Sequence, residues 1–83
     1  MSKLPVVSSK EVIRILQKVG FEYAPKRGKG SHLAFVKKDK DKDKDKTRLV
    51  IVPKRKDIPK GTLLAILDHA GLTKEEFINL LKE

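Results

Sequence analysis

The residues with the clearest chemical potential are His32 and the basic stretch before it, 26-KRGKG-30. Imidazole is the side chain that takes or gives a proton near neutral pH without large tuning. Lys26, Arg27 and Lys29 would surround it with positive potential, which favours the neutral, proton-accepting form. Gly28 and Gly30 permit a turn through which backbone can approach a phosphate closely. The same pattern also suits an ordinary surface histidine at the start of a strand.

A second basic cluster is 53-PKRKDIPK-60, where Lys54, Arg55, Lys56 and Lys60 crowd the passage from a strand to a helix. The start of that helix, with free amides and the positive end of its dipole, is the expected phosphate seat. His69, the other histidine, falls late in the helical pattern, where a cation suits the helix C-terminus, and it reads as structural. Other chemistries find little support. A zinc centre needs about three or four placed ligands, and the aspartates of this chain alternate with lysines. With no cysteine there is no thiolate site, disulfide or Cys nucleophile. No phosphate-binding glycine loop occurs, and Ser31 has no visible acid–base partner. The expectation is a site without metal or cofactor.

The elements that must carry these residues are legible from caps and periodicity. Ser8 and Glu11 have capping-box spacing, and Val12, Leu16 and Val19, with Ile13 beside them, form an apolar helical stripe ended by Gly20. Phe21 and Tyr23 alternate with polar residues in a short strand limited by Pro25. A second strand runs from Ser31 to Val36, with Leu33 and Phe35 on one face and His32, Ala34 and Val36 on the other. The β-branched run 47-TRLVIVP-53 gives a third. Pro59 suits the first turn of the next helix, with Leu63, Ile66, Leu67 and Ala70 as its stripe and Gly71 at its end. Thr73 and Glu76 make a second capping box, with Leu72 and Phe77 placed as a hydrophobic staple before a short last helix. The order α-β-β-β-α(-α) predicts an α+β domain in which helices cover one face of a three-stranded antiparallel sheet. This is the arrangement of double-stranded-RNA-binding domains.

The chain of 83 residues allows one small domain, residues 1–83. The segment 37-KKDKDKDKDK-46 has no apolar residue to bury, so it reads as a solvated, mobile hairpin tip at about 37–46. Its interleaved aspartates weaken any role as an electrostatic arm. The net charge is +9, distributed as +5 over residues 1–36, +3 over 37–48 and +1 over 49–83. A basic domain of this kind attracts phosphate backbones or anionic lipid. No apolar run approaches the roughly 20 residues of a membrane helix, and the N-terminus lacks the apolar core of a signal peptide. A reducing, cytoplasmic location fits the absence of cysteine.

The segments 8-SSKEVIRILQKVGF-21, 30-GSHLAF-35, 52-VP-53 and 60-KGTLLAILDHAGLTKEEF-77 together resemble the HicA toxin family of bacterial and archaeal type II toxin–antitoxin systems. The resemblance implies a double-stranded-RNA-binding-like fold and a small ribonuclease, an mRNA interferase, that cleaves transcripts. It implies a HicB-type antitoxin that covers the active site. It makes His32 the catalytic residue, with Gly30 and Ser31 as the accompanying motif positions. Two departures stand out. Family members often carry a histidine shortly after the Val-Pro pair, where this chain has Lys54, Arg55 and Lys56. The Lys-Asp run also lengthens the second hairpin.

On that resemblance His32 would take the proton of an RNA 2′-hydroxyl while Lys26, Arg27, Lys29, Lys54, Arg55, Lys56 and Lys60 attract the phosphates. Two other readings use the same basic face. One is a non-catalytic RNA-binding module. The other is an interaction subunit that docks an acidic partner.

Overall fold

The structure, a computed structural model, describes residues 4–28, 30–41 and 44–83. In chain order it contains α1 (Ser9–Lys18), β1 (Glu22–Tyr23), a 3₁₀ turn (Pro25–Arg27), β2 (His32–Asp41), β3 (Lys44–Pro53), α2 (Lys60–Ala70) and α3 (Lys74–Leu81). The three strands form one antiparallel sheet in the order β1-β2-β3. This is the expected α+β order, α-β-β-β-α-α. No helix among the described residues is long and apolar enough to cross a membrane.

Local sequence explains where the helices begin and end. The Ser8 hydroxyl accepts from the Glu11 amide, and the Glu11 carboxylate accepts from the Ser8 amide, so each covers a donor that the first turn leaves unpaired. At the other end Gly20 turns to φ 102°, and the Phe21 amide bonds the Leu16 carbonyl at 2.9 Å. That reversal drops the Phe21 ring into the core, 3% exposed. The fully buried residues of α1 are Val12, Ile15 and Leu16. The apolar stripe is therefore rotated from the expected one: Ile15 joins it, while Ile13 and Val19 are only partly buried. In α2 the four expected positions, Leu63, Ile66, Leu67 and Ala70, are all buried. The Thr73–Glu76 box caps α3, and Phe77 beneath it is 0% exposed.

Strand register sets the two faces of the sheet. Phe35 pairs with Val50 and Leu33 with Val52, and these residues pack toward the helices. Full burial of such a side chain stabilises the fold by roughly 1.5–3 kcal/mol. On the opposite face His32 pairs with Pro53, Ala34 with Ile51 and Val36 with Leu49. Leu49 and Ile51 remain 41% and 37% exposed. The alternation of β2 thus places His32 on the open face, as its pattern predicts.

Two features have no periodic signal in the sequence. The Ile58 amide bonds the Val7 carbonyl at 2.9 Å, and both side chains are buried. The segment leading into α1 is thereby stitched to the segment leading into α2. Lys37 and Arg48 are cross-strand partners on the helix side of the sheet. Like charges directly opposed are unfavourable, but each cation reaches the C-terminal end of a helix. Arg48 Nη1 donates to the His69 carbonyl at 3.5 Å, and Lys37 lies against Gly20 with its Nζ 5.9 Å from the Phe21 ring centre. The negative ends of two helix dipoles offset that repulsion.

Beyond this pair the ladder continues into the Lys-Asp run, which the composition reads as a mobile tip. β2 and β3 stay paired as far as Asp41 and Lys44. The register sets Asp39 opposite Lys46, Lys40 opposite Asp45 and Asp41 opposite Lys44. Residues 37–41 and 44–46 of the expected tip are thus strand, and Lys42 and Asp43 lie outside the described residues.

Candidate functional site

His32 is the first residue of β2 and is exposed. The backbone on either side of it is held firmly. The Lys54 amide donates to the Ser31 carbonyl at 2.8 Å, which carries the β2–β3 pairing one step past the strands. On the other flank the Ala24 amide bonds the Ala34 carbonyl at 2.8 Å, and the Arg27 amide bonds the Ala24 carbonyl at 3.0 Å. The 3₁₀ turn therefore lies alongside the beginning of β2. Gly28 makes this approach possible. A Cβ there would sit 2.7 Å from the His32 carbonyl oxygen and 3.2 Å from the Ala34 amide nitrogen. Its missing side chain serves internal packing, whereas the sequence suggests that the glycines make room for a phosphate. Gly30, at φ 57°, has nothing within 4 Å of its Cβ direction, so open space for a ligand lies on its side of the turn.

A cavity of about 220 Å³ opens at this point, lined by Tyr23, Pro25, Gly28, Gly30, His32, Leu33 and Lys54. Lys26, Arg27 and Ser31 are exposed around it, and Lys29 lies outside the described residues. Tyr23, which its alternation marks only as a strand residue, is braced by a tilted ring contact with Phe35 at 5.7 Å.

The second basic cluster sits elsewhere than expected. Lys54, Arg55 and Lys56 turn toward the start of α1, not toward the N-terminus of α2, which begins only at Lys60. The Ser9 amide donates to the Arg55 carbonyl at 3.0 Å, and the Arg55 amide donates to the Ser9 hydroxyl at 3.4 Å. Ser8, Ser9, Lys10, Lys54, Arg55 and Lys56 line a cavity of about 390 Å³ there. Lys54 belongs to both cavities. Lys60 lines neither. Ser9 and Lys10 give no sequence signal for this placement, because it comes from a contact 46 residues apart in the chain.

His69 is exposed in the last turn of α2 and offers its backbone carbonyl to Arg48. That is a structural part, and it lines neither cavity. The arrangement thus supplies one exposed imidazole with a lysine at the same cavity. Together they can accept a proton from a bound hydroxyl and hold an anionic group beside it.

A search of the curated proteins finds no match to this chain. The family model for the HicA toxin of bacterial toxin–antitoxin systems matches residues 9–72. The chain belongs to the HicA toxin family. The matched span covers α1, the sheet and α2, and so contains the lining of the His32 cavity and, apart from Ser8, that of the second cavity. As a HicA toxin, this protein is the toxin half of a toxin–antitoxin system, and membership implies a partner antitoxin. The region outside the match includes α3, whose Phe77 completes the core from beyond it.

Proposed function

We propose that this HicA toxin is an endoribonuclease, an mRNA interferase acting on cytoplasmic transcripts, with His32 as its general base. The observation that carries the reading is the position of His32. It is exposed and lines a cavity that Lys54 also lines, and the exposed Lys26 and Arg27 belong to the turn that leads into its strand. His32 takes the proton from an RNA 2′-hydroxyl. The freed 2′-oxygen attacks the adjacent phosphorus, and the bond from phosphorus to the 5′-oxygen of the next nucleotide breaks. That leaving oxygen collects a proton, and the products are a 2′,3′-cyclic phosphate and a 5′-hydroxyl end. General-base assistance contributes typically ~10²–10⁴-fold. Lysine and arginine held near the phosphate stabilise the charge that builds on its oxygens. The nucleophile belongs to the substrate, so this chemistry calls for no metal.

A HicB-type antitoxin would neutralise the toxin by covering His32. The open sheet face supports this reading, because Leu49 and Ile51 lie exposed on the same face as His32. A partner seated over His32 would take that apolar surface out of water as well.

The decisive substrate is an RNA oligonucleotide with a single 2′-deoxy substitution at the nucleotide that is cleaved. The expected result is binding without cleavage at that position. Cleavage at the deoxy position would refute the mechanism.

A further inference from the structure

We propose that the cleft formed by Lys10, Lys54, Arg55 and Lys56 is a second phosphate subsite, which holds the RNA backbone away from the scissile phosphate. The proposal rests on the ribonuclease reading and extends it from one bound phosphate to two.

Charge is the first support. Four cations and two serines line the cleft, and no carboxylate does. Among the described residues none of the four cations forms an ion pair. Gathering like charges around one concavity is unfavourable unless an anion occupies it.

Construction is the second support. The cations do not meet through chance placement of long side chains. The two hydrogen bonds between Ser9 and the Arg55 backbone fix the base of the cleft, and the buried Val7–Ile58 pair anchors the segment just beyond it. The binding groups are side chains, not the end of α1. The Ser8 amide is engaged by Glu11, the Ser9 amide by Arg55 and the Glu11 amide by Ser8. The Glu11 carboxylate is folded back onto this cap and is absent from the cleft lining.

Continuity is the third support. Lys54 is a wall of both this cleft and the His32 cavity. A ligand that fills both must carry anionic groups in series, as a single RNA strand does. Lys54 would then stand between two consecutive binding points. Lys10, which lies on α1 and outside both basic motifs of the sequence, becomes a binding residue.

The test uses uncleavable, fully 2′-O-methylated RNA oligonucleotides of increasing length, so that binding is read separately from cleavage. Wild type is compared with the double variant Lys10→Ala/Arg55→Ala. Both side chains are exposed, and the hydrogen bonds of Arg55 to Ser9 run through its backbone, so the variant keeps the fold; matched melting curves check this. Wild-type affinity should step upward when the strand becomes long enough to reach the second cleft. The variant should lose that step. The slope of log affinity against log salt should become shallower by about 0.7 for each phosphate contact removed. An unchanged step and slope in the variant would overturn the subsite while leaving the ribonuclease reading intact. The same unchanged series with weaker inhibition by the antitoxin would assign the cleft to the protein partner instead. Failure of wild type to bind any oligonucleotide would overturn both readings together.

Discussion

The two ends of the β2–β3 hairpin are built from similar residues and work differently. At the distal end the register places an aspartate opposite each of Lys40, Lys44 and Lys46. Slightly nearer the core, Lys37 and Arg48 are committed to the C-terminal ends of α1 and α2. At the proximal end Lys54, Arg55 and Lys56 have no acidic neighbour in their cavities, and Lys54 shares one of those cavities with an exposed histidine. A count of lysines marks both ends as basic. The difference between them lies in the order of the residues: aspartates alternate with the lysines at the distal end, whereas Lys54, Arg55 and Lys56 follow one another with no acid between them.

The largest expected effect is at the proximal end. Gly28→Ala forces a Cβ to within 2.7 Å of the His32 carbonyl unless the strand or the turn moves. Such overpacking costs roughly 1–3 kcal/mol, and a displacement of about 1 Å at His32 should lower cleavage by up to about 10²-fold. Thermal melts and cleavage rates measured together would show whether the tight turn positions the histidine. Retention of full cleavage would mean that it does not.

At the helix-capping level the expected effect is on stability alone. Gly71 has φ 73°, and a Cβ there would lie 3.0 Å from the Arg48 guanidinium carbon. Gly71→Ala should destabilise the fold by about 1–2 kcal/mol through the left-handed backbone, and displace Arg48 from the His69 carbonyl as well. Chemical denaturation measures the loss, and cleavage by the folded fraction should match wild type.

A smaller effect is expected in the Lys-Asp ladder. Changing Asp39, Asp41 and Asp45 to Asn removes the anions at the positions that the register sets opposite Lys46, Lys44 and Lys40, and an opposite-charge cross-strand pair typically contributes about 0.2–1 kcal/mol. The loss should shrink as salt is raised, and cleavage should be unaltered. A fall in cleavage would show that the distal end takes part in the chemistry, and would collapse the contrast between the two ends.

The smallest effect concerns the cap of α3. Hydrogen bonds from the Thr73 backbone, and then from its side chain, hold the Glu76 carboxylate below its ordinary range. A depressed folded value means that this contribution is present above the unfolded value and fades as pH falls toward the folded one. Helicity followed during acid titration should show a slight loss in wild type that Glu76→Gln lacks.

Much of this architecture was legible in the sequence because it depends on local spacing. Both capping boxes, the buried stripe of α2 and the face of β2 that carries His32 follow from residues three or four apart, or from strict alternation. In α1 the spacing picks out Val12 and Leu16 but not Ile15, since Ile13 and Ile15 are both apolar and only packing decides between them. The second cleft was not legible. It is made by Ser9 bonding Arg55 and Val7 bonding Ile58, isolated polar contacts across long chain separations that leave no periodic trace. The role of Gly28 was hidden for the same reason, because a glycine needed for close packing and one needed for ligand access look alike in a sequence.

The central claim is that His32 acts as the general base of RNA cleavage. It is tested most directly by incubating a long RNA in excess chelator with wild type and with His32→Ala, matched for concentration and fold. Cleavage by wild type, with the variant slower by about 10²–10⁴-fold yet still binding RNA, is the predicted result. Equal cleavage by both proteins, or wild-type cleavage that stops when chelator is added, would contradict it.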